Sequence, residues 1–174
     1  RSSDLPACGL VAFQCTPDRP VQEYAFLIQR YDRNLKTKAR IQQEQLDGAM
    51  KIDDKYGVHS GEQTVSYAMI GRFIAQIVPG VRSKITYFRQ VIYAYLLGNN
   101  DLHLRNFSLL RPETAPDELA PVYDFVTTAP YPSTFNSAYL ALPLLDDEVK
   151  GELTPGFDSI YGQYIGLDFM LFGQ

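Results

Sequence analysis

The sequence contains no tryptophan, two cysteines and two histidines among its 174 residues. Cys8 and Cys15 are separated by six residues and have no histidine near them. That spacing matches no common zinc pattern, and two thiols are too few to staple a secreted scaffold. They read as reduced, partly buried thiols, which points to a cytoplasmic location. Long apolar runs are also missing. The longest candidate, Val91 to Leu97, is seven residues long and holds two tyrosines, far short of the roughly 20 that a membrane span needs. No membrane contact and no signal peptide are expected, and a start at Arg1 rather than Met reads as a trimmed end. Charge of one sign is equally scarce: 16 Lys and Arg against 20 Asp and Glu leave a net charge of -4. A chain without a basic field does not grip DNA by its phosphates, so any link to nucleic acid is expected to be indirect, through a partner. No internal repeat and no low-complexity tract is present.

What remains has the composition of one globular domain with a sizeable core: 45% hydrophobic and 21% charged residues. Val11 to Phe13 and Glu23 to Tyr31 read as strands, forming a hairpin that turns near residues 16–20. Ile41 to Met50 reads as a short helix, followed by a polar, turn-rich stretch to Gly61. Apolar residues from Val65 to Ile77 recur with a 3.6-residue rhythm and predict a helix from about Thr64 to Val78, ended by Pro79-Gly80. A second helix is expected from Ser83, its N-cap, to Leu97, with Gly98 in a left-handed C-terminal conformation. Short strands follow at Phe107–Leu110, Pro121–Phe125 and Tyr139–Leu142. A last helix is expected to begin at Thr154-Pro155.

Chemistry concentrates after Gly98. In Asn99-Asn100-Asp101-Leu102-His103-Leu104-Arg105-Asn106, the acidic Asp101 precedes Asn106 by five positions, the D-x-x-x-x-N spacing of a protein-kinase catalytic loop. Asp124 follows Asn106 by eighteen positions and precedes Phe125, as in Asp-Phe-Gly, with Val126 in place of the glycine. Phosphoryl transfer to a hydroxyl needs a carboxylate to accept or orient the proton, the role read for Asp101. It also needs hard oxygen ligands for Mg2+, which Asn106 and Asp124 can supply with a single charge between them. His103 can orient Asp101 or serve as a hydrogen-bonded structural histidine. Arg105 can neutralise phosphate charge. A hydrolytic metal site built from His103, Asp101 and Asp124 is the minor alternative. At the end of the second strand, Gln29, Tyr31 and Asp32 are placed where a hinge offers backbone to adenine, an aromatic face to the base and a carboxylate to the ribose. Taken alone, the same residues read as a strand end with solvated charges.

Together these segments resemble the HipA family of bacterial toxin kinases. The matching stretches are Phe26 to Arg33, Ile41 to Leu46, Leu97 to Leu110, Pro121 to Asp124 and Leu140 to Leu142, in the family's order and spacing. The resemblance implies an α+β, mostly α-helical fold: a protein-kinase-like C-terminal lobe with short strands carrying the catalytic and metal loops. It implies ATP and Mg2+ as cofactors, with Asp101 as catalytic residue, Asn106 and Asp124 as metal ligands, and Gln29, Tyr31 and Asp32 at the nucleotide. It implies transfer to protein serine or threonine, with aminoacyl-tRNA synthetases among the family's targets. It further implies neutralisation by a HipB-like helix-turn-helix antitoxin, in a system linked to growth arrest and persistence. The departure is the lack of a Gly-rich phosphate loop and of a Val-Ala-Ile-Lys strand. Residues 1–30 are therefore expected to be a remnant of N-lobe strands and hinge, and 31–174 the catalytic lobe, with the N-lobe largely missing. Such a chain transfers phosphate weakly or not at all. A non-catalytic, pseudokinase-like interaction module is the alternative.

Overall fold

The computed structural model describes residues 8–14, 22–34, 36–131, 138–151 and 163–174. Helix and strand are mixed, with helix in excess. The expected N-terminal hairpin is present: β1 (Cys8–Gln14) pairs antiparallel with β2 (Gln22–Ile28), Leu10 opposite Phe26 and Val11 opposite Ala25. Its turn at 16–20 lies outside the described residues, and Gln29 to Tyr31 are no longer strand.

The stretch 41–50 departs from expectation. It opens as β3 (Gln42–Gln45) and turns helical only as α1 (Leu46–Met50). Between Ile41 and Leu46 no apolar residue sets a helical stripe, and the backbone of Gln42 to Gln45 instead pairs with β6 (Ser108–Arg111), Gln45 opposite Ser108. A small hairpin, β4 (Val58–His59) with β5 (Glu62–Gln63), follows inside the polar stretch.

Two helices line the core. α2 (Tyr67–Ile77) starts where the Ser66 side chain accepts the Met69 N–H, and ends at Val78, which is extended ahead of Pro79. α3 (Val81–Leu97) begins at Gly80 rather than at Ser83. Gly80 takes φ 97°, a conformation that reverses the chain between the helices and leaves Ser83 inside the first turn. Gly98 closes α3 at φ 63°, and Asn99 N–H reaches back to the Ala94 carbonyl. Ile70 and Ile74 of α2 meet Val91 and Ala94 of α3, all fully buried.

The return strand β7 is Glu118–Leu119, not Pro121–Phe125. With Pro121 beside the ladder and Asp124 at φ 49°, the chain from 120 on cannot continue as regular strand. Residues 139–142 form bends rather than a strand, although Leu140 and Leu142 still reach the core. α4 (Asp146–Val149) and α5 (Gly166–Phe172) complete the described elements. The helix expected at Thr154-Pro155 lies outside them. No helix of the described residues is long and apolar enough to cross a membrane.

Candidate active site

The loop from Asn99 to Phe107 is built into the core from below. Leu102 and Leu104 are fully buried and Phe107 nearly so, and these apolar side chains fix the path of the loop. A buried tyrosine then holds its backbone, braced by a second. Tyr67 donates to the Leu102 carbonyl at 2.7 Å, and Tyr87 donates to the Tyr67 carbonyl at 2.8 Å. Burial pushes both phenols far above their ordinary range, so each stays a donor. Leu104 N–H bonds to the Lys55 carbonyl at 3.0 Å, tying the loop to the turn ahead of β4.

Asp101 and Asn106 are brought together. Asn106 is buried, and its amide nitrogen donates to the Asp101 carbonyl at 2.7 Å. That bond uses the amide nitrogen and fixes the plane of the side chain, which leaves Oδ1 as its free ligand atom. The Asp101 side chain is 42% exposed, and its Oδ1 accepts the Tyr56 hydroxyl at 3.1 Å. His103 is buried and sits with Nε2 3.7 Å from the same oxygen, too long for a hydrogen bond. Its ring meets Tyr56 edge-on, centroids 5.3 Å apart. Burial, followed by the charge of Lys55, lowers the His103 pKa, outweighing the pull of Asp101 and Asp124. The His103 Nδ1 is buried without a hydrogen-bond partner and its Nε2 falls short of Asp101, so the ring is held by packing and is not the hydrogen-bonded histidine expected.

Asp124 is exposed and sits at φ 49°. A left-handed non-glycine residue is uncommon, and aspartate is among the few that enter that region readily. The residue before it anchors it: Tyr123 donates its hydroxyl to the Arg105 carbonyl at 2.6 Å and lies 2.5 Å from Ser108 Oγ. Gln43 of β3 donates to Ser108 Oγ, and Gln45 to the Arg105 carbonyl. The segment after Asp124 folds back onto the end of α3. Thr128 N–H, Thr128 Oγ1 and Ala129 N–H all reach the Gly98 carbonyl, at 3.1, 2.6 and 3.2 Å. A Cβ at Gly98 would lie 2.4 Å from the Ala129 Cβ, so only glycine fits there. The two loops carrying Asp101 and Asp124 thus share one attachment point.

Asn106 and Asp124 offer one amide oxygen and one carboxylate, hard donors of the kind Mg2+ takes. Among the described residues, no group of three His, Cys, Asp or Glu is arranged to hold a metal, so the alternative site of His103, Asp101 and Asp124 does not form.

The remaining candidates divide. Tyr31 stacks on Tyr123 with centroids 5.9 Å apart, and its hydroxyl accepts from Gln43; burial raises its pKa to about 12. It therefore reaches the Asp124 loop. Gln29 is exposed just beyond β2. Asp32 is not open to a ligand as expected. Arg30 grips it through two hydrogen bonds at 2.7 and 2.5 Å and Arg33 through one at 2.9 Å, and the Arg30 guanidinium holds its carboxyl below the usual range. Arg105 points to Asp47 of α1 at 2.6 Å rather than towards Asp101 or Asp124. Tyr56, Tyr123, Ser108 and Gln43 belong to the site and were not anticipated. For Tyr123, adjacency to Asp124 was the available signal. For Tyr56, 45 positions before its partner, the sequence offered none.

Comparison with known proteins gives this geometry a lineage. Residues 3–163 match the model of the HipA-like C-terminal domain. A Haemophilus influenzae protein is 50% identical over 175 residues, covering 98% of this chain and 50% of its own length. A Sinorhizobium fredii protein is 30% identical over 138 residues, covering 74% of this chain and 31% of its own. Both carry the name "putative kinase". The chain thus spans half or less of the length of these relatives. Among solved structures, a Shewanella oneidensis complex of HipA, HipB and operator DNA superposes with a TM-score of 0.56 over 78% of this chain and 34% of that one. At 17% identity this likeness concerns the fold. The chain belongs to the HipA-like family, through its C-terminal domain.

Proposed function

We propose that this chain is the catalytic lobe of a Ser/Thr protein kinase of HipA toxin type, transferring the ATP γ-phosphate to a protein hydroxyl. The observation that carries the reading is the joining of Asp101 to Asn106 by a 2.7 Å bond, with the Asp124 loop tied to the same turn through Tyr123. Asp101, half exposed, accepts or orients the proton of the incoming hydroxyl. Asn106 Oδ1 and the Asp124 carboxylate hold Mg2+, and Tyr31 with Gln29 meets the adenine. When bound, Mg2+ neutralises charge on the transferring phosphates. Residues 1–30 act as the remnant of N-lobe strands and hinge, and 31–174 as the lobe itself. The sequence has no Gly-rich loop and no strand lysine to position the phosphates, so transfer by this chain alone is weak.

The wider role follows from the relatives. The Shewanella protein is a toxin–antitoxin component in complex with HipB and operator DNA. By extension, a HipB-like antitoxin is this protein's partner, DNA is met only through it, and the substrate is a cytoplasmic protein, with an aminoacyl-tRNA synthetase the first to try. The engagement of Asp32 by two arginines and of Arg105 by Asp47 favours a second reading, a non-catalytic interaction module. Thermal unfolding with and without Mg-ATP separates the two. Mg-ATP raises the melting temperature of the wild-type chain, and Asp124→Asn abolishes the rise. A wild-type chain indifferent to Mg-ATP would leave only the module.

A further inference from the structure

Resting on the kinase reading, the geometry points to Tyr56 as a positioning residue for Asp101. A base in this reaction must hold one oxygen within about 2.6–3.2 Å of the proton it receives. A half-exposed aspartate does not do so unaided, because its terminal torsion is broad. Among the described residues one side-chain donor reaches the Asp101 carboxylate, the Tyr56 hydroxyl at 3.1 Å on Oδ1, while His103 Nε2 stays 3.7 Å away. Pinning Oδ1 sets the plane of the carboxylate and leaves Oδ2 for the substrate hydroxyl.

The tyrosine is itself fixed from several sides. Asp54 Oδ1 accepts the N–H of Tyr56 at 2.8 Å and that of Val58 at 3.3 Å. Gln63 Nε2 donates to the Tyr56 carbonyl at 2.9 Å, and the Lys55 ammonium lies 4.6 Å from the ring centroid. Gly57 follows at φ 69°, where a Cβ would lie 2.5 Å from the Val65 Cβ. Packing explains the ring, since it closes over buried His103. Packing does not explain the hydroxyl, because phenylalanine would fill the same space. The oxygen is accounted for by its bond to Asp101.

The test is a double-mutant cycle on the whole chain, read by single-turnover transfer of labelled phosphate from Mg-ATP, which registers slow reactions. Tyr56→Phe lowers the rate about tenfold, the scale of one hydrogen bond to a charged group. It leaves the ATP concentration dependence, the melting temperature and the Mg-ATP thermal shift unchanged. In an Asp101→Asn background the same change has no further effect. An unchanged rate in Tyr56→Phe overturns the inference and spares the kinase reading. An equal loss in both backgrounds assigns Tyr56 to general structure and also overturns it. No transfer from the wild-type chain, together with no Mg-ATP shift, removes the kinase reading and this inference with it. No transfer with the shift retained overturns the role of Tyr56 in this chain alone.

Discussion

The N-terminal hairpin and the Asp101 loop are built on opposite plans. In the loop every large apolar side chain is spent inward: Leu102, Leu104 and Phe107 are at most 2% exposed. Buried Tyr67 and the side-chain amides of Asn106 and Gln45 hold carbonyls that backbone bonding leaves over. In β1 and β2 the ladder is complete, but large apolar side chains described there are not covered. Leu10, Phe26 and Leu27 are each more than half exposed, and they project from both faces of the ribbon. A two-stranded hairpin is marginal by itself. The contrast teaches that a hairpin's pairing follows from local pattern, whereas the geometry of a site depends on side chains buried far from it in sequence.

The comparison breaks most readily at Phe107. Phe107→Ala opens a void between Tyr67 and Tyr87 and costs about 3–5 kcal/mol, measured by chemical denaturation. A loss below about 1 kcal/mol would mean that the loop is not core-built. Tyr67→Phe keeps the ring but leaves the Leu102 carbonyl without its donor. It costs about 1–3 kcal/mol and loosens the loop, seen as faster amide exchange at Leu104.

A smaller effect separates a satisfied, half-buried acid from a solvated one. Glu148 accepts from Leu144 N–H, Leu145 N–H and the Tyr164 hydroxyl, yet burial raises its pKa. The unfolded chain therefore ionises first as pH rises. Wild-type stability relative to Glu148→Gln falls from the ordinary glutamate pKa up to the raised folded one and levels off above it. A pH-independent gap between the two melting temperatures would contradict that sign. The least effect is expected in the hairpin. Phe26→Ser, at a 64% exposed position, changes stability within about 0.5 kcal/mol. A cost like that at Phe107 would show that Phe26 is buried after all.

The sequence displayed some of this and hid the rest for physical reasons. α2 and α3 were legible because a 3.6-residue apolar rhythm, Pro79 and Gly98 all agree. β3 was read as helix because Gln42 to Gln45 have no pattern of their own and gain their form from Ser108 to Arg111, more than sixty positions on. Asp101, Asn106 and Asp124 were legible as candidates through their spacing. The engagements of Asp32 with Arg30 and of Arg105 with Asp47 did not, because an ion pair depends on where a side chain turns once folded.

The left-handed backbone at Asp124 carries a consequence for the residues that can replace it. Glycine, asparagine and aspartate enter that conformation cheaply, and longer side chains do so at a cost. Of those three only aspartate brings a negative charge, so glutamate, its equal in charge, is the poorer substitute on backbone grounds alone. Conformation and electrostatics together narrow the position to a single amino acid.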